Sequence, residues 1–128
     1  MLDETVQIVR SMWTEGETTF AGKYYDVRRA QCDPKPVQAP RPPIWIGGGG
    51  EQLTLRVVAK YADCSNFGGV PETFEHKRDV LREHCRSIGR DPDEIRLTWS
   101  PEVFIRPTEA EVEAAGSLAV WGQSVEDW

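Results

Sequence analysis

The stretch Pro42–Asp63, PPIWIGGGGEQLTLRVVAKYAD, decides how the chain is read. Three strand formers, Ile44, Trp45 and Ile46, run into four consecutive glycines, Gly47, Gly48, Gly49 and Gly50, and an amphipathic segment follows. Glycine loses more conformational freedom on folding than any other residue, so a glycine run needs a local reason. Either the backbone must come close to a ligand, or the chain must turn sharply with no ligand at all. Taken alone, these residues leave both readings open.

Outward from the glycines, the pattern alternates. Ile44–Ile46 is short and wholly apolar, as expected for a strand buried on both faces of a parallel sheet. Leu53, Val57 and Tyr61 recur at helical spacing with Val58 and Ala62 beside them, predicting one apolar helix face. Cys64–Phe67 predicts a second strand, closed by Gly68 and Gly69. Pro71 suits the first turn of a helix that carries Phe74, Leu81, Cys85 and Ile88 and stops at Gly89. Ile95–Ile105 predicts a third strand, bent or bulged at Pro101. Thr108 and Glu111 form a capping-box pair opening a further helix.

On the other side, Leu2, Val6, Val9 and Trp13 predict an N-terminal amphipathic helix. Periodicity says little about Glu15–Pro43, where five prolines between Pro34 and Pro43 demand an extended surface connection. Helices and strands that alternate in this way are the signature of β-α-β units around a parallel sheet. Three such strands leave two open sheet edges, and Ser124 stands like an N-cap where the chain stops.

The bulk properties fit one globular unit. The chain has 128 residues, 39% hydrophobic and 28% charged, with 15 basic and 21 acidic side chains for a net charge of -6. That balance argues against nucleic acid or an anionic membrane surface as the main partner, while leaving room for a small anion in a pocket with its own field. No apolar run approaches the ~20 residues of a membrane-spanning helix, and the N-terminus lacks the pattern of a signal peptide. Cys32, Cys64 and Cys85 are odd in number and widely spaced, with no C-x-x-C pair, so neither a zinc site nor a disulfide framework is expected. A reduced, cytoplasmic setting fits.

In PKPVQAPRPPIWIGGGG followed by VVAKYAD, the sequence resembles the luciferase-like monooxygenase superfamily, in particular its deazaflavin (coenzyme F-420)-dependent oxidoreductases. FAGKYYDV (Phe20–Val27), Asn66 and LREHCRSIGRDPDEI (Leu81–Ile95) extend the likeness over nearly the whole chain. The resemblance implies a (β/α)8 TIM barrel. A full barrel needs ~250 residues, so residues 1–128 are expected to be one partial domain: a preceding helix and about three βα units, resembling the fifth to seventh strands. That would be the C-terminal half of a barrel truncated at both ends, with Met1 an internal methionine. It also implies hydride transfer between a reduced cofactor and a small organic substrate, with coenzyme F-420 as cofactor and FMN as the alternative. Gly47, Gly48, Gly49 and Gly50 are then expected to hold the cofactor phosphate, through backbone N–H groups and the start of the following helix. The contrasting expectation is a non-catalytic truncated product that binds anions weakly, and exposed sheet edges would let either form pair into homo-oligomers.

Asn66 falls at the carboxyl end of a strand, where barrels place their chemistry, and reads as a substrate-pocket residue or as a loop cap. Asp63 reads as a structural turn former and Glu102 as a solvated glutamate at a bend. His84 and Cys85 are adjacent on a helix and diverge, so they do not form a nucleophile pair; Cys85 belongs to the core and His84 near the surface. His76 lies on an outer face with no ligand set around it, and the tryptophans read mostly as core or apolar anchors, Trp128 apart. The sequence names no catalytic residue and no metal ligand.

Overall fold

The computed structural model describes residues 1–101, 103–115 and 121–124. Helix α1 (Leu2–Thr14) leads into an antiparallel hairpin of β1 (Thr18–Ala21) and β2 (Asp26–Ala30). Strand β3 (Trp45–Gly47), helix α2 (Thr54–Tyr61), strand β4 (Cys64–Phe67), helix α3 (Pro71–Ser87) and strand β5 (Arg96–Trp99) follow. These three strands form a parallel sheet in the order β3-β4-β5, with Ile46 opposite Ser65 and Ser65 opposite Leu97. Strand β6 (Val103–Arg106), helix α4 (Glu109–Ala115) and strand β7 (Trp121–Ser124) make a separate parallel pair.

Helices α1, α2 and α3 cover one face of the three-stranded sheet. Val6, Ile44, Ile46, Leu55, Val58, Ala59, Phe67, Leu81, Cys85 and Ile95 are among the residues buried there. Trp45, between Ile44 and Ile46, stays 53% exposed. The expected burial on both faces is therefore corrected: side chains alternate along a strand, and no described layer packs on the second face. Leu53 is corrected too, at 80% exposed. Helix α2 starts one residue later, and its buried stripe is Leu55, Val58, Ala59 and Ala62 with Val57 beside it. Ile88 likewise lies outside the core, at the end of α3.

Local signals at the helix ends are realised closely. Pro71 occupies the first turn of α3. Gly89 takes φ +72°, with Gly89 N–H bonded to the Arg86 carbonyl and Arg90 N–H to that of Cys85, the left-handed stop that glycine permits. Thr108 Oγ1 accepts from Glu111 N–H at 3.4 Å, one half of the expected capping box. The Arg90 guanidinium donates to the carbonyls of Ala59 (2.9 Å) and Ala62 (2.8 Å), placing positive charge where the α2 dipole is negative. Asp3 on α1 accepts from Lys60 Nζ (2.9 Å) and Tyr61 Oη (3.1 Å), tying α1 to α2.

Two features depart from expectation. The single third strand is two strands, β5 and β6, which pair in different sheets on either side of Pro101. Proline has no N–H to give a ladder, and here pairing stops altogether rather than bulging. The hairpin, silent in periodicity, is fixed by Glu4 on α1, whose carboxylate accepts backbone N–H bonds from Lys23, Tyr24 and Tyr25 at 2.9–3.1 Å. Glu102, Trp128 and whatever follows Ser124 lie outside the described residues.

Asp63, read as structural, joins three segments. Its carboxylate accepts from Ile44 N–H (2.6 Å) and from the Arg41 guanidinium of the proline-rich connection, and its carbonyl accepts from Arg96 N–H (3.0 Å). Burial pushes its carboxyl up, but the Arg41 and Ile44 hydrogen bonds and the Arg41 charge outweigh burial, so its pKa lies below the usual carboxylate value. Asp63→Ala should cost about 1–2 kcal/mol at neutral pH, the half-open side chain keeping the figure modest. With the folded pKa depressed, this stability is complete above the unfolded value of ~3.9 and is lost as pH falls through the folded pKa. Urea denaturation should separate the parent protein from the Asp63→Ala variant near neutrality and bring the two together in acid; a gap independent of pH would contradict the role.

Candidate functional site

Residues at the carboxyl ends of β3, β4 and β5 form one rung, Gly47 opposite Asn66 and Asn66 opposite Thr98. Strand alternation sends Ile46, Ser65 and Phe67 toward the helices, where the Phe67 ring lies 4.9 Å from that of Phe74. Gly47, Asn66 and Thr98 therefore share the opposite, uncovered face. Asn66 Nδ2 donates to Thr98 Oγ1 (2.7 Å) and Ser100 Oγ (2.8 Å), and Ser100 Oγ lies 3.1 Å from Asn66 Oδ1. Asn66 is thus a member of a polar cluster at the sheet mouth, not an isolated loop cap. Thr98 and Ser100 carry no motif that singles them out in the sequence; both fall inside the predicted strand Ile95–Ile105, and only the structure places them at the end of β5.

The four glycines answer to different constraints. Gly48 takes φ +107°, a conformation that side chains rarely adopt, and its N–H bonds the Asn66 carbonyl at 3.0 Å. A Cβ on Gly49 would lie 2.8 Å from the Lys77 stem, and one on Gly50 would lie 3.0 Å from Thr54 Oγ1. At Gly47 a Cβ would meet nothing within 4 Å. The missing side chains at Gly48, Gly49 and Gly50 are explained within the chain, and only the emptiness beside Gly47 opens onto the face shared with Asn66.

Helix α3 grips the turn that follows. Lys77 Nζ donates to the Gly49 carbonyl (2.7 Å), and His84 Nε2 lies 2.9 Å from the Glu51 carbonyl. The Glu51 carboxylate faces His76 Nε2 at 3.2 Å and Lys77 Nζ at 3.6 Å. His76 and His84 thus meet the glycine turn, a contact between residues far apart in sequence that no local pattern announces. Cys85 diverges from His84 into the core, and burial pushes its thiol up, against a nucleophilic role.

Chemically, the turn offers donors. The N–H groups of Gly49, Gly50 and Gln52 find no acceptor among the described residues. They border a concavity of about 460 Å³ lined by Gly49, Gly50, Glu51, Gln52, Leu53 and Thr54. Backbone N–H groups left without an acceptor on a glycine-rich turn are donors that an oxyanion can use. An apolar cleft of about 330 Å³ lies between α1 (Leu2, Val6, Val9, Trp13) and β3, and Gly47 belongs to its lining. Among the described residues, no three His, Cys, Asp or Glu side chains gather as a metal site, and no helix is long and apolar enough to cross a membrane.

Comparison with known proteins places these features in context. The family model for luciferase-like monooxygenases matches residues 1–126. The chain is 28% identical over 117 residues to a phthiodiolone/phenolphthiodiolone dimycocerosates ketoreductase of Mycobacterium sp. (strain JLS), covering 88% of this chain and 30% of the relative. It is 29% identical over 123 residues to an F420-dependent glucose-6-phosphate dehydrogenase of Kineococcus radiotolerans, covering 94% of this chain and 35% of the relative. Its fold matches an F420-dependent secondary alcohol dehydrogenase solved with an F420-acetone adduct, with a TM-score of 0.73 at 23% identity over 88% of this chain and 34% of that one. The chain spans about a third of the length of the curated relatives it matches.

The glycine constraints rank three substitutions. Gly48→Ala should lose about 1–3 kcal/mol through its backbone conformation, and Gly49→Ala, which meets only the flexible end of the Lys77 side chain, should cost less. Gly47→Ala should stay within about 0.5 kcal/mol of the parent protein. Thermal melts of the three variants check this order, and a Gly47→Ala protein as unstable as Gly48→Ala would contradict it.

Proposed function

Because this chain belongs to the luciferase-like monooxygenase family, we propose that it is one sector of a flavin- or deazaflavin-dependent oxidoreductase. In this reading residues 1–128 are a single partial domain, and β3, β4 and β5 are three adjacent strands of an eight-stranded barrel. Strands of the whole protein would continue the sheet at the outer edges of β3 and β5, where the described residues provide no partner. In the chain by itself, those edges would favour self-association. A cytoplasmic location belongs to the same proposal.

Coenzyme F-420 is the cofactor we favour, with FMN as the alternative; when bound, it supplies the hydride chemistry. The carrying observation is the open space at Gly47 beside a turn in which the Gly49, Gly50 and Gln52 N–H groups have no acceptor among the described residues. Gly47, Gly48, Gly49 and Gly50 would hold the cofactor phosphate, Gly47 by clearing its path and Gly50 by donating from the backbone. Glu51 sits close to this anion position, but the Lys77 ammonium lies 3.6 Å from its carboxylate and offsets part of its charge. Asn66, held by Thr98 and Ser100, would present hydrogen-bonding groups to the substrate or to the cofactor at the mouth.

No described residue has the disposition of a general acid, base or nucleophile at this mouth. The proposed role of this sector is therefore to bind and orient, with the reacting ring held by walls that the rest of the protein supplies. Orientation can account for ~7–11 kcal/mol of a barrier, so the 128-residue chain by itself should bind anions weakly and turn nothing over.

Titration of the protein with F-420 and with FMN tests the reading. The informative substitution is at Gly47, the position that is open in the chain itself. Gly47→Val should keep its melting temperature and bind F-420 roughly tenfold more weakly, about 1.4 kcal/mol. Unchanged affinity in a folded Gly47→Val protein would leave the glycine run as a tight turn only.

A further inference from the structure

Lys77 and His84 lie seven residues apart on α3, two helical turns, and so on one face of the helix. Both reach the same turn, and both end on backbone carbonyls: Lys77 Nζ on Gly49 at 2.7 Å, His84 Nε2 on Glu51 at 2.9 Å. A carbonyl can only accept, so His84 carries a proton on Nε2. The contact at Gly49 is close, because the Lys77 stem fills the space in which a Gly49 side chain would stand.

Each contact fixes a whole peptide unit. In a trans peptide the C=O and the N–H of the next residue point in opposite directions. The donors from α3 draw the Gly49 and Glu51 carbonyls toward that helix, so Gly50 N–H and Gln52 N–H face away from it, and neither meets an acceptor among the described residues. Between them, the Leu55 N–H holds the Gly50 carbonyl at 3.0 Å. Three carbonyls of the turn are thus anchored, and of the N–H groups that follow them those of Gly50 and Gln52 face away from α3. A glycine-rich turn without such anchors samples many peptide orientations and forfeits binding energy when it orders.

We propose that Lys77 and His84 are positioning residues of the anion site: by holding the carbonyls of Gly49 and Glu51, they turn the N–H groups of Gly50 and Gln52 toward a bound phosphate. This rests on the reading of the glycine turn as a phosphate site. Lys77 acts here through the peptide dipole, since the Glu51 carboxylate 3.6 Å from its ammonium already offsets part of its charge. The specificity that follows is for the phosphate of a ligand and not for its ring.

Amide-resolved NMR of the chain, titrated with inorganic phosphate and then with FMN and riboflavin, tests the proposal. In the parent protein, phosphate and FMN should shift the Gly50 and Gln52 amide signals, and riboflavin, which has no phosphate, should not. K77M should lose the Gly50 response and H84A the Gln52 response, each with roughly tenfold weaker phosphate binding and an otherwise unchanged spectrum. K77R and H84Q, which keep a donor near the same place, should restore the responses. Retained shifts and affinity in both K77M and H84A would overturn the positioning role while leaving the phosphate site intact. An absence of any shift in the parent protein would overturn the phosphate site and this proposal with it. Should K77M lose its folded spectrum, H84A and H84Q decide the question through Gln52.

Discussion

The carboxylate of Asp63 sets the register on which the mouth of the sheet depends. It accepts the Ile44 N–H and the Arg41 guanidinium, while its own N–H returns a bond to the Ile44 carbonyl at 3.0 Å. That exchange locks Ile44, the residue before β3, against the start of β4, and the Asp63 carbonyl does the same for β5 through Arg96. In a parallel sheet a one-residue slip would move every side chain to the other face. With Asp63 in place, Gly47 comes opposite Asn66 and Asn66 opposite Thr98, three positions after Ile44 and Asp63 and two after Arg96. The mouth is thus determined at the far end of the sheet, by an acid whose partners lie outside the mouth altogether.

Much of this organisation is legible in the sequence, because it follows from local chemistry. The apolar run before the glycines, the helical stripe after them, Pro71 at a helix start and Gly89 at a helix end are each decided by neighbouring residues. The remainder is decided at long range. The hairpin of β1 and β2 depends on Glu4, some twenty residues away in sequence, and its strands carry no two-residue alternation strong enough to announce it. Leu53 has the spacing of the first residue of an apolar face, but the glycine turn extends to it and leaves it in solvent. The strand through Pro101 reads as one bent strand; instead its two halves join different sheets, a choice made by β7 and not by the proline alone.

The glycine run shows the same division. In the sequence the four residues form one motif with one question attached. In the structure they separate into a backbone conformation at Gly48, a side-chain approach at Gly49 and Gly50, and an open side at Gly47. Lys77, which explains Gly49, stands 28 residues further on and carries no signal of its own. In the proposed reading an overall charge of -6 would be no obstacle to an anion at this turn, since the donors on offer are peptide N–H groups.

The most direct measurement is a crystal structure of the protein with coenzyme F-420 bound. A phosphate oxygen within hydrogen-bonding distance of Gly50 N or Gln52 N, with the cofactor chain passing Gly47, is the expected result. A phosphate bound elsewhere, with the Gly49–Gly50 turn still empty beside it, would contradict the assignment of this turn as the cofactor's anchor.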